Sequence, residues 1–186
     1  HDNLANKKKD GTRLLANTDW YKNEKFFIHH DEHPRLGWKL VSKEIIPAST
    51  GKNYLQQTGL LADHVRSLYD DESMMPEEIQ NALTEWHYLK NDTNKFTELQ
   101  KNTVSSTDTE WKSAAQTLSS LKLNQLFRES LIEWFYRTTL SERISGERLL
   151  PNRYSWTKSL SSDGSLVNSG YFDDSGASVS WDRPDY

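Results

Sequence analysis

The sequence predicts an α+β protein. Three observations carry that reading. Apolar residues recur at helical spacing in several stretches between Asn53 and Ile144, an alternating run from Gly37 to Ile46 reads as a strand, and from Leu149 to Tyr186 short apolar runs are separated by turn-forming Ser, Asp, Gly and Asn. At 186 residues the chain is long enough for one domain with a proper core and hardly for two, so residues 1–186 are expected to form a single domain. Hydrophobic content of 34% and a mean hydropathy of -0.86 are low. Seven Trp, eight Tyr and six Phe compensate, because each aromatic buries a large area.

Charge and composition narrow the function classes. A formal net charge of -4 and a pI near 5.9 argue against nucleic acid as the main partner. With no cysteine there is neither a disulfide framework nor a Cys-based zinc site, which suits a reducing compartment or a disulfide-free surface protein equally. No apolar run reads as a bilayer span or a secretory signal, so direct membrane insertion is not expected. The chain starts at His1, which leaves room for an upstream leader.

Taken in order, residues 1–13 with the Lys7-Lys8-Lys9 run read as a mobile, solvated arm. Leu14 to Phe27, with Trp20, Tyr21, Phe26 and Phe27, reads as a short helix or turn against the core. His29-His30-Asp31-Glu32-His33 invites a metal reading. It lacks HExxH spacing, and ligands packed this tightly along a chain seldom converge on one ion, so a polar loop ended by Pro34 is preferred. The region 36–70 is a strand carrying Trp38 and Leu40, stopped by Pro47, then an amphipathic helix from Asn53 to Asp70 built on Tyr54, Leu55, Thr58, Leu61, Ala62 and Val65. Pro76-Glu77-Glu78 starts a further helix, and 74–120 is expected to be helical, broken near Asn91 to Asn94 and recapped at Ser105 to Asp108. Trp86, Phe96, Trp111 and Leu118 there are core candidates between antiparallel helices. Leu121 to Gln125 reads as a link or strand. Residues 126–145, with Phe127, Leu131, Trp134-Phe135 and Leu140, form the most apolar helix, expected from about Arg128 to Ile144, buried, and ended by Gly146.

The terminal segment 149–186 turns at Ser162-Asp163-Gly164 and again at Asp173 to Gly176. Leu166-Val167 and Tyr171-Phe172 read as parts of separate strands, and Val179 and Trp181 as one face of another. Trp156, Leu166, Val167, Phe172 and Val179 are the expected core. Chemistry is not evident. The chain has no GxGxxG, GxxxxGK[ST] or GxSxG motif, adjacent Asp173 and Asp174 would point to opposite faces of a strand, and the terminal aspartates lack EF-hand spacing. No catalytic residue, metal or cofactor is therefore assigned. A hydrolase using His64 or His87 has no supporting motif.

The framework Tyr154-Ser155-Trp156-Thr157, Ser162-Asp163-Gly164, Leu166-Val167, Gly170-Tyr171-Phe172, Gly176 and Val179 resembles the variable region of diversity-generating retroelement target proteins. Gly37 to Glu44 followed by Tyr54-Leu55-Gln56-Gln57 is similar to the strand-then-helix opening of such proteins in small-genome bacteria, archaea and archaeal viruses. The resemblance covers both ends of the chain and hardly its middle. It implies a C-type lectin-like fold with 74–120 as a helical insertion and 149–186 as a short-stranded binding face. It further implies that template adenines, often in AAC or AAT codons, are randomised. Changing the first two bases of such codons never gives Lys, Glu, Gln, Met or Trp, and Ser159 to Tyr186 lacks the first four; Trp181 would be a fixed residue. Loop-rich β segments are also rich in Ser, Gly and Asp for conformational reasons alone.

The expected function is non-enzymatic recognition of a protein or other macromolecule of variable identity. The ligand-binding set is Ser159, Ser161, Ser162, Ser165, Asn168, Tyr171, Asp173, Asp174, Ser178, Ser180, Asp182, Arg183 and Tyr186. Trp156, Gly170, Phe172, Gly176 and Val179 are its framework. The alternative is a helical protein–protein interaction module with no diversified site.

Overall fold

A computed structural model describes residues 11, 13–16, 18–28 and 44–186. The expected N-terminal arm lies outside the described residues apart from Gly11 and Arg13, and the histidine-rich stretch, Trp38 and Leu40 lie outside them altogether. The fold is α+β, with helices and one three-stranded antiparallel sheet. By its contacts the chain divides into two compact units, residues 1–36 with 129–181, and residues 37–128 with 182–186. Among the described residues no helix is long and apolar enough to cross a membrane.

The first unit holds the sheet. Two short helices, α1 (Thr18–Tyr21) and α2 (Lys25–Ile28), precede it in sequence. Its long helix, α8 (Leu131–Ser145), is opened by a capping box in which Ser130 accepts from Glu133 N and the Glu133 side chain accepts from Ser130 N. It closes on Gly146 at φ 72, the left-handed conformation a glycine permits. The helix thus starts three residues later than the expected Arg128, because Ser130 supplies the cap. Nor is α8 buried all round. Leu131, Trp134, Phe135 and Thr138 face inward, while Tyr136, Leu140 and Ile144, spaced four apart, are exposed on the other side.

Strands β1 (Tyr154–Leu160), β2 (Leu166–Asp173) and β3 (Gly176–Asp182) follow in a meander with β2 central. The inner face packs on α8. Val167, Phe172, Ala177 and Val179 share one core cluster with Leu14, Tyr21, Leu131, Trp134 and Phe135. Trp156 and Leu166 are buried as well. Leu166-Val167 and Tyr171-Phe172 prove to lie in a single strand, and its alternation is interrupted. In an unbroken strand residues 167 and 172 point to opposite faces, yet both enter the same core. Tyr171, at φ 44, is a left-handed residue inside β2 and resets the alternation between them. Trp181 is not part of this core; it is exposed although Val179 two residues earlier is buried.

The second unit is helical. Helix α3 (Tyr54–Ser67) is capped by Asn53 and Gln56, buries Tyr54, Leu55, Thr58, Leu61, Ala62 and Val65, and is followed by a 3-10 turn at Glu72–Met74. Helices α4 (Glu77–Asn91), α5 (Thr93–Thr103) and α6 (Asp108–Ser120) come next, the α4–α5 break falling at Asp92, whose carboxylate caps α5 through Lys95 N. Trp86, Trp111 and Leu118 are buried as expected, and half-buried Phe96 meets Trp86 edge-on at 6.0 Å.

The expected link or strand at Leu121 to Gln125 is instead a helix, α7 (Lys122–Phe127), which also takes Phe127. Its first free N–H, on Lys122, donates to Glu85 Oε2 at 2.7 Å, and Leu121, Leu123 and Asn124 are buried. Asn124 suits this helix because its amide is fully used. Its Nδ2 donates to Leu118 O at 2.7 Å and to Thr58 Oγ1 at 3.1 Å, and its Oδ1 accepts from Arg128 Nε at 2.9 Å. The tail returns to this unit, Tyr54 N donating to Pro184 O.

Candidate functional site

The candidate site is the sheet of the first unit and its two turns. Its framework rests on burial and on two glycines with different reasons. Phe172 is fully buried, Val179 and Trp156 nearly so. Gly176 sits at φ 109, and a Cβ there would lie 2.7 Å from Leu15 C and 2.8 Å from Ala16 N. Residues 14–16 run against this end of β3: Ala177 N donates to Leu14 O and Ala16 N to Ala177 O, both at 2.9 Å. Gly170 needs no unusual φ. A Cβ on it would fall 1.8 Å from the Arg153 carbonyl oxygen, which accepts from Tyr171 N.

The thirteen predicted contact residues do not form one set. Four are buried, and each is turned to the protein. Ser159 Oγ accepts from Leu131 N at 2.9 Å, so it caps the first turn of α8 from the sheet side. Ser161 and Ser165 belong to a closed turn: Ser161 N donates to Ser165 O, and Asp163 Oδ1 accepts from Ser161 Oγ and Ser165 N. Asn168 is buried opposite Trp156 in the β1–β2 register. The surface positions expected for these four are therefore corrected; a small polar side chain in this segment serves the backbone as readily as a ligand.

Ser162, Tyr171, Asp173 and Asp174 are exposed, and Ser178 and Ser180 are half-buried. Ser162 reaches Glu24 through both its N–H and its hydroxyl. Asp173 closes the β2–β3 turn by accepting from the hydroxyl and the N–H of Ser175, which hold its carboxyl below the ordinary carboxylate value. Asp174 pairs with Arg148 at 2.6 Å, and the same guanidinium lies 3.4 Å from buried Glu142 and 5.7 Å from the Phe172 ring centre. Arg148 thereby ties the turn to the end of α8. Asp182, Arg183 and Tyr186 fall in the second unit, where Arg183 pairs with Asp185 at 2.9 Å.

Tyr154, expected only as part of the strand framework, stands at the surface. Its ring lies 4.9 Å from that of Tyr171, and both are exposed, so the left-handed residue of β2 presents half of an aromatic pair. The signal for Tyr154 in the sequence is its place two residues before Trp156 on β1. Among the described residues no group of three or more His, Asp or Glu is placed to hold a metal ion. Comparison with known protein families, curated proteins and solved structures finds no match to this chain.

Proposed function

We propose that the chain is a non-enzymatic recognition protein of C-type lectin-like fold, its C-terminal face diversified by retroelement-directed mutagenesis. The observation that carries the reading is compositional. From Ser159 to Tyr186 the chain lacks Lys, Glu, Gln and Met, residue types that randomised AAC or AAT codons do not produce. The geometry supports it in one respect: the framework is buried or sterically fixed, while Ser162, Tyr171, Asp173 and Asp174 stand outside it. A face that changes sequence must leave the fold to other residues, and Tyr and Ser are contact residues that adapt to many partners. The partner is a protein or other macromolecule whose identity varies with that face.

The burial of Ser159, Ser161, Ser165 and Asn168 favours a second reading, a helical interaction module whose terminal segment is purely structural. One experiment separates them. Ser162, Tyr171, Asp173, Asp174, Ser178 and Ser180 are randomised together with codons ending in C or T, and the displayed library is sorted for folded chains and then against an unrelated protein. The recognition reading expects most members to stay folded and binders to emerge. A library in which most members unfold, or one that is folded but yields no binder, removes it.

A further inference from the structure

Three arginines among the described residues are half-buried, and two of them meet carboxylates. Arg137 grips Glu129 through two bonds at 2.7 and 2.6 Å, and Arg148 lies between Glu142 and Asp174. Arg128, at the end of α7, meets none among the described residues. Its Nε–H donates to Asn124 Oδ1 at 2.9 Å, and Nη1 donates to Gln57 Oε1 at a marginal 3.5 Å. The guanidinium carbon sits 4.1 Å from the centre of the fully buried Tyr54 ring. At most two of five donors are used, both on neutral amides, and Nη2 has no protein acceptor among the described residues.

Partial loss of water pushes Arg128 below its ordinary value, and no carboxylate among the described residues offsets it. Its orientation is nevertheless held on two sides. Tyr54 holds the plane and Asn124 holds one edge, and Asn124 is itself tied to Thr58 and to Leu118 O. What is left is a rigid pair of terminal nitrogens, only half-buried, in the geometry that receives two oxygens of one group.

We propose that Arg128 is an oxyanion-binding residue, taking a carboxylate or phosphate group on its Nη edge where α3 and α7 meet. The site lies wholly within the helical unit and is independent of the recognition reading of the sheet. A purely architectural arginine would hold α7 on α3 equally well but would not respond to anions.

The test is a titration of the ¹⁵N-labelled 186-residue chain, following the arginine Nε–H signals, with Arg128 assigned through its own backbone. Sodium acetate and sodium phosphate are compared with sodium chloride at equal ionic strength. The Arg128 signal should move saturably with acetate, phosphate or both, while those of Arg137 and Arg183 stay still; which salt acts tells carboxylate from phosphate. Absence of a saturable shift in both salts, an equal shift in chloride, or equal movement of all three arginines overturns the proposal. Arg128→Lys, read through the Asn124 side-chain amide, should weaken the response at least tenfold, and an unchanged response also overturns it. Should that variant fail to fold, the wild-type titration decides alone.

Discussion

Ser159→Ala isolates the difference between a contact residue and a structural one. Ser159 is 2% exposed, and its hydroxyl oxygen is the acceptor for the N–H of Leu131, which is itself fully buried. Alanine removes the acceptor and leaves the Leu131 N–H in a buried position without it. A buried donor left unmade costs about 1–3 kcal/mol, in line with the roughly 1 kcal/mol of a lost helix cap. For a chain of this length that is a fall of roughly 2–10 °C in Tm. The local assay is amide exchange. Protection at Leu131 should drop by the same free energy, about tenfold per 1.4 kcal/mol. Ser162→Ala on the exposed turn should stay within about 0.5 kcal/mol, as surface changes usually do. Equal protection at Leu131 in wild type and Ser159→Ala would refute the capping role and return Ser159 to the surface set.

Phe172→Ala should cost about 3–5 kcal/mol by opening a cavity against α8, which urea denaturation would read as a lower midpoint at constant slope. Gly176→Ala should detach residues 14–16 from β3, since its Cβ would meet their backbone at 2.7 Å; loss of exchange protection at Ala16 N with β2 still protected is the expected sign. The depressed carboxyl of Asp173 contributes stability above its unfolded value near 4. That contribution is lost as pH falls through the lower folded value, so the acid limb of a Tm-against-pH curve should be shallower in Asp173→Asn.

Much of the helical framework was legible in the sequence because its signals are local. Pro76 and Gly146 mark termini by their own φ angles, whereas the cap of α3 is Asn53 and not Ser49 or Thr50, and Thr107 starts α6 without a side-chain cap bond. Helix α7 was not legible, since its stability comes from Glu85 and Thr58, residues far away in sequence. The strand content of the terminal segment was visible, but its register was not. One left-handed residue, Tyr171, exchanges the two faces of β2, and no periodic pattern announces it. The candidate site suffered from the same gap. Serine at 159, 161, 162 and 165 looks uniform as text, yet only Ser162 is exposed; the others are committed to a helix start and a turn. At Gly170 a side chain is excluded by the backbone approach of Arg153 and not by a positive φ, a constraint no local pattern announces.

The most direct test of the central claim is the DNA beside the gene. A diversified face requires a near-identical repeat of the segment coding for Tyr154 to Tyr186, next to a reverse transcriptase gene. Its extra adenines should fall in the codons for Ser162, Tyr171, Asp173, Asp174, Ser178 and Ser180, and spare those for Trp156, Ser159, Gly170, Phe172, Gly176 and Val179. A locus with neither repeat nor reverse transcriptase, or a repeat whose adenines fall equally on the buried framework codons, would contradict it.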